Sequence, residues 1–271
     1  MKYPSFTNSF SGNNKPGAGS LLLLLLPVFL ILSCEKRETE PLDLDFGYEY
    51  YPLELGQVRE YAVDSIIFDP ALGGTRIDSN SWLVQEVVVD TFPGQDGLTW
   101  YRIERFQRQS DTLPWQIGKV YAAARSKQQA FRTEDNLKFI KMTFPLQANE
   151  TWDGNAFFSI KTTVEIAGEQ IEMFKDWAYR TLSLTDPLQV GDLTFEKVCS
   201  IQLADSENII EYRQAKEHYA KNIGLVYKEL QILDTQCVVC CNGDFGTCAS
   251  TGWGQKAEKG FIVRQRLLRW Q

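Results

Sequence analysis

One histidine, His218, is all that this chain of 271 residues carries, and much chemistry leaves with the missing ones. Zinc sites built on two histidines are excluded. A serine–histidine–acid triad would have to use His218, yet no Gly-x-Ser-x-Gly elbow occurs anywhere. Gly252-Trp253-Gly254 is too short and misplaced for a phosphate loop, and Asn242-Gly243-Asp244 lacks the spaced ligands of a calcium loop. Asp244-Phe245-Gly246 stands without any other kinase element. A sustained helical stripe is lacking too, which excludes a helical bundle. So is a basic excess: the net charge is −7, and a polyanion such as nucleic acid is not an expected partner.

What is there begins with Leu21–Cys34, LLLLLLPVFLILSC. Lys2 and Lys15 precede twelve apolar residues, then come Ser33 and Cys34, and no acid appears before Glu35. This order of charge, apolar run and small residue is that of a secretory leader. The run falls short of the ~20 residues a spanning helix needs. Ile31-Leu32-Ser33-Cys34 resembles the bacterial lipobox, which implies cleavage after residue 33 and acylation, palmitate included, at Cys34. Anchorage would then rest on more than one acyl chain, as stable attachment requires. All 35 acids follow the leader while two of the 28 basic residues lie within it, so the mature part carries −9. An outer-membrane lipoprotein, on the periplasmic face or at the cell surface, is the expected address.

Residues 34–49 are charged, contain Pro41 and bury little, and read as a tether. Residues 50–271 read as one β-rich domain. Aromatic and β-branched residues fill short runs broken by turn chemistry such as Asp69-Pro70, Gly73-Gly74 and Asp96-Gly97. About ten to twelve strands are expected, forming an antiparallel, strongly curved sheet, half-barrel or sandwich, with few short helices. Those helices are expected over 128–136 and 206–222. In 193–203, Leu193, Phe195, Cys199, Ile201 and Leu203 share one face by period-two alternation, and Lys197 interrupts it, as near an edge.

Three blocks resemble one group of proteins: Tyr50-Tyr51-Pro52-Leu53-Glu54-Leu55-Gly56, Phe144-Pro145-Leu146 with Trp152-Asp153-Gly154, and Tyr219–Glu229, YAKNIGLVYKE. They are similar to blocks of uncharacterised lipoproteins from Bacteroidetes-type bacteria, although Val58 and Arg59 stand where that pattern has an aromatic after Gly56. The resemblance implies an envelope location and a β-rich fold, and it brings no activity with it.

After Cys34 five cysteines remain, four of them in Cys237–Cys248, CVVCCNGDFGTC, inside a loop over 237–260. The flanking runs 225–233 and 261–270 look like one antiparallel pair, so the loop would cap a hairpin. A loop this long needs staples, and an oxidising compartment supplies disulfides. Cys199, on an apolar face, is the expected free thiol. Cys237, Cys240, Cys241 and Cys248 then make two bridges, with Cys240–Cys241 disfavoured because adjacent residues meet disulfide geometry poorly. The alternatives are a zinc or iron–sulfur site on the same four thiolates and redox work by Cys237-x-x-Cys240. Phe245 and Trp253 are candidate contact residues for a protein or glycan partner. Glu134–Asp135 and Glu165–Glu169 are carboxylate pairs of the type that cleave glycosides when placed across a cleft; solvated surface charge is the plainer reading.

Together these features point to a lipid-anchored envelope protein with a binding or scaffold role, no enzymatic activity and no cofactor. A carrier of lipid or another apolar molecule inside a half-open barrel is the alternative, and a hydrolase the third. The carrier requires a cavity lined by alternate strand residues. The hydrolase requires close carboxylates or an activated serine near His218.

Overall fold

A computed structural model describes residues 45–271, so the leader, the lipidation candidate Cys34 and most of the tether lie outside the described residues. After a 3-10 turn at Tyr48–Tyr50, the chain forms β1 (Val58–Ala71), β2 (Gly74–Pro93), β3 (Thr99–Arg108), β4 (Gln116–Arg125), β5 (Gln129–Glu134) and β6 (Leu137–Thr143). These pair in succession as an antiparallel meander. A second meander follows: β10 (Trp177–Val190), β11 (Leu193–Glu207), β12 (Glu211–Ala220), β13 (Gly224–Asp234) and β14 (Lys259–Trp270). Between the two lie β7 (Thr151–Trp152) and a small hairpin of β8 (Val164–Ile166) with β9 (Glu169–Ile171). β14 pairs with β1, so the two meanders fuse into one twelve-stranded sheet ordered β6-β5-β4-β3-β2-β1-β14-β13-β12-β11-β10-β7.

The sheet curls until its ends nearly meet. Ile140 N–H on β6 donates to Gly154 O at 2.9 Å, just past β7, and Trp152 Nε1 donates to Ile140 O at 2.9 Å. Gly154 is required at this seam, because a Cβ there would collide with the ring of Tyr179. The result is all-β and barrel-like, as the alternation implies.

Each strand turns one face inward. Val84, Glu86 and Val88 of β2, Ala215, Glu217 and Tyr219 of β12, and Ile232 and Leu230 of β13 are buried at every second position. Most of the inward apolar residues form two clusters, one around Tyr61, Val84, Phe195 and Leu267 and a larger one around Ile103, Phe139, Tyr179 and Leu203.

Both expected helices are strands. In 128–136, Asp135 and Asn136 take left-handed backbone (φ 49° and 65°) and close a two-residue hairpin between Glu134 and Leu137. Asp and Asn tolerate that conformation, and the primed turn it creates joins strands. In 206–222 the inward alternation of Arg213, Ala215, Glu217 and Tyr219 wins over local helix propensity. Lys197 is not near an edge, since β11 lies between β10 and β12. It is exposed because the β10–β11 register shifts between Asp186 and Leu188, which lets consecutive Val198 and Cys199 both point inward.

Candidate functional site: a charged core beside an apolar cavity

The barrel interior is not uniformly apolar. The strand register sets Glu86 of β2 opposite Arg105 of β3, and Glu217 of β12 opposite Lys228 of β13. Side chains from non-adjacent strands then join these pairs across the interior. Arg132 Nη2 meets Glu86 Oε1 at 2.7 Å and its Nε meets Glu134 Oε1 at 2.7 Å. Lys141 of β6 reaches Glu217 at 2.8 Å, and Lys228 reaches Glu134 at 3.2 Å and Glu217 at 3.5 Å. Tyr219 Oη donates to the other oxygen of Glu217 at 2.6 Å. Arg105 holds Glu86 at 2.7 Å with one nitrogen and the Gln265 amide oxygen of β14 at 3.0 Å with another. Strands from both meanders are therefore tied to one another through charge.

Burial alone would push the Glu86 carboxyl upward, but Arg132 and Arg105 outweigh it and hold it at about 2. Burial opposes ionisation at Glu134 and Glu217 as well; Lys141 and Lys228 overcome it, and both carboxyls fall below their ordinary range. Lys228 is lifted by Glu134 and Glu217 against burial. All three acids are ionised at neutral pH.

Above this network lies a cavity of about 410 Å³. All seven charged residues of the network line it, together with Tyr121 and, at the rim, Lys119, Asp135 and Glu165; Phe139, Phe174, Trp177, Leu230 and Val263 are among its apolar lining. Behind that lining packs an edge-to-face aromatic cluster: Phe139–Phe158 at 5.1 Å, Phe158–Phe174 at 4.9 Å and Phe174–Trp177 at 5.2 Å between ring centres. The β8–β9 hairpin supplies Val164 and Ile166.

The sequence does not reveal this site. Of the network, sequence reasoning singles out Glu134 alone, as a solvated acid, whereas its side chain is 20% exposed and triply paired. The available signal was charge at inward positions: Glu86 between Val84 and Val88, and Lys228 between Val226 and Leu230.

Of the other carboxylate candidates, Asp135 and Glu165 line the rim of the cavity, Asp135 paired with Lys119 and Glu165 accepting from Gln170, while Glu169 does not line it. His218 faces Ser200 and Tyr227 across its neighbouring strands. Ser200 Oγ and His218 Nδ1 are 2.8 Å apart. Burial and Lys216 hold the imidazole low, at about 4, so it is neutral. No carboxylate is hydrogen-bonded to this ring among the described residues, and neither residue lines the cavity.

The cysteine loop caps β13 and β14 as one hairpin and contains the two short helices, α1 (Phe245–Ser250) and α2 (Trp253–Lys256). Its bridges are Cys237–Cys248 and Cys240–Cys241, so the adjacent pair disfavoured from the sequence is formed. The reason is spatial: joining Cys237 to Cys248 across the loop leaves Cys240 and Cys241 with each other. The sulfurs of Cys240, Cys241 and Cys248 lie within 4.8 Å of one another, but all four are bridged and offer no thiolate to a metal. Cys199 is free and buried, its thiol pushed up to about 12 by burial. Glu258 accepts the backbone N–H groups of Gln236, Val238 and Val239 at 2.7–2.8 Å. Phe245 is 55% exposed, with Val238 and Val239 also exposed. Trp253 instead stacks on Tyr212 (5.5 Å between centroids), donates to Glu207 at 2.8 Å and lies under the Lys256 ammonium.

Fold and site together define a barrel-like antiparallel sheet around an ionic core and an apolar cavity. No protein-family model matches the chain, and no curated protein does. Two solved structures are similar in outline. One is a candidate exported protein with a YmcC-like fold from Bacteroides fragilis, at 11% identity and TM-score 0.37, covering 81% of this chain and 97% of that one. The other is a candidate lipoprotein from Parabacteroides distasonis, at 9% identity and TM-score 0.35, covering 84% of this chain and 100% of that one.

Proposed function

We propose that this protein is a non-enzymatic lipoprotein of the cell envelope that holds an apolar small molecule inside its barrel. The carrying observation is the interior cavity of about 410 Å³, walled by alternate strand residues and by the rings of Phe139, Phe174 and Trp177. Small-molecule sites run to about 300–1,000 Å³ and are mostly apolar with a few fixed polar groups. The leader pattern ending at Cys34 supports acyl anchorage at the outer membrane. Bridged cysteines fit an oxidising address. A binding rather than catalytic role fits acids held ionised by cations, which have no proton to give at neutral pH. The test is organic extraction of the purified full chain with mass spectrometry of both fractions. An acyl mass on the peptide beginning at Cys34 and a co-extracted apolar compound are expected. An empty extract, together with failure to take up an apolar fluorescent probe, would sink the reading.

A scaffold role is the second reading, and exposed Phe245, Val238 and Val239 on a doubly bridged loop favour it. Crosslinking from position 245 in cells tests it: a single captured protein, lost on Phe245→Ser, supports docking, and no capture removes it.

A further inference from the structure

The interior charges do not balance. Arg105, Arg132, Lys141 and Lys228 face only Glu86, Glu134 and Glu217, and all seven side chains are at most 20% exposed. Buried charge is costly unless paired, so one positive charge in this interior calls for a counter-charge. At the mouth Asp135 is taken up by Lys119 at 2.7 Å, and the remaining carboxylate of the lining, Glu165, is solvent-exposed on the β8–β9 hairpin and bonded by Gln170, where water screens it.

The surplus falls on one side of the network. Arg132 has two carboxylates, Glu86 and Glu134. Lys141 and Lys228 share Glu134 and Glu217. Arg105 has the least: it shares a single Glu86 oxygen with Arg132, and its other partner is the neutral amide of Gln265. Tyr121 stands beside it, its ring 6.0 Å from the Arg105 guanidinium and 5.0 Å from that of Arg132. Tyr121 is 8% exposed and lines the cavity, and its hydroxyl makes no hydrogen bond to protein among the described residues and is open to solvent. Burial raises that hydroxyl to about 12, so it keeps its proton and can donate to a ligand in the cavity. A guanidinium that shares one carboxylate oxygen and a hydroxyl open to the cavity thus stand on a lining that also carries Phe139, Phe174 and Trp177.

We infer that Arg105 and Tyr121, with Lys228 beside them, form an anion subsite, and that the barrel's ligand is an amphiphile bearing one acidic group. The acid sits against Arg105 and Tyr121, and the apolar chain lies along Phe139, Phe174 and Trp177. This deepens the carrier reading and rests on it. A carboxylate and a phosphate monoester satisfy the subsite by the same charge-assisted hydrogen bonds.

Calorimetric titration of the full mature chain with dodecanoate, dodecyl phosphate and dodecanol tests it. Both acids are expected to bind at least about tenfold more tightly than the alcohol, the gain of charge-assisted over neutral hydrogen bonding. The tighter of the two acids tells a fatty-acid source from a phosphorylated one. Tyr121→Phe removes only the hydroxyl and should narrow the preference for acid, while Arg105→Met should abolish it and leave dodecanol binding in place. Acids and alcohol binding within about twofold of one another in the unaltered chain would overturn the subsite and leave the carrier reading standing. If none of the three binds, both fall. The wild-type comparison needs no variant to fold.

Discussion

The barrel interior and the cysteine loop solve the same problem by different means. Each holds segments together where apolar packing alone does not: the interior ties non-adjacent strands through Glu86, Glu134 and Glu217, and the loop ties its ends through Cys237–Cys248. Charge is sensitive to protons and indifferent to reductant, and a disulfide is the reverse. The two regions should therefore fail separately, each under its own stress.

The largest effect is expected from removing one acid of the interior. Glu217→Ala strands Lys141 and Lys228 and deprives Tyr219 of its acceptor. Breaking a buried pair this way costs about 3–5 kcal/mol, to be read as a fall in the urea midpoint while the loop bridges stay intact by thiol titration. Acid comes next. Glu86 is depressed from its ordinary 4.5 to about 2, so the unfolded chain binds the proton first. Its contribution, about 3 kcal/mol, is full above pH 4.5 and disappears as pH falls through 2. Thermal melts across that window should track it, and Glu86→Gln should flatten the slope. Reduction should act on the loop alone. The Cys237–Cys248 bridge spans 11 residues and is worth about 2–3 kcal/mol in the chain-entropy account. Dithiothreitol should expose Val238–Phe245 to limited proteolysis while near-ultraviolet dichroism of the barrel persists. The smallest effect is expected at Glu258. Glu258→Gln weakens its bonds to Gln236, Val238 and Val239 by about 1 kcal/mol, seen as faster amide exchange at 238 and 239 with no change in the barrel. Should reductant melt the barrel, or acid open the loop further than the Glu258→Gln change does, the separation between them is wrong.

The strands and the curvature were readable because alternation such as Leu193, Phe195, Ile201, Leu203 reports which face is buried. The charged core was not. A single Lys or Glu at an inward position, such as Lys228 or Glu217, reads the same in sequence whether it faces solvent at an edge or a partner across a closed sheet. Only closure, fixed by contacts as distant in sequence as Lys141 with Glu217, decides between them. Position 132–136 misled for a local reason: Arg-Thr-Glu-Asp-Asn suits a helix end as well as a hairpin, and the pairing of β5 with β6 settles it. The cysteine bridges depended on the path of the loop, which residue spacing leaves open.

The place of β14 has a consequence for how the barrel comes into being. It is the final strand of the chain and yet lies in the middle of the sheet, zipped to β1 from Arg59–Trp270 to Phe68–Gly260 on one side and to β13 on the other. During synthesis, the first meander has to wait some two hundred residues for its neighbour, and contacts of that span form slowly. Losing the last dozen residues would not trim an end; it would cut the sheet through its centre and leave two half-shells with bare edges.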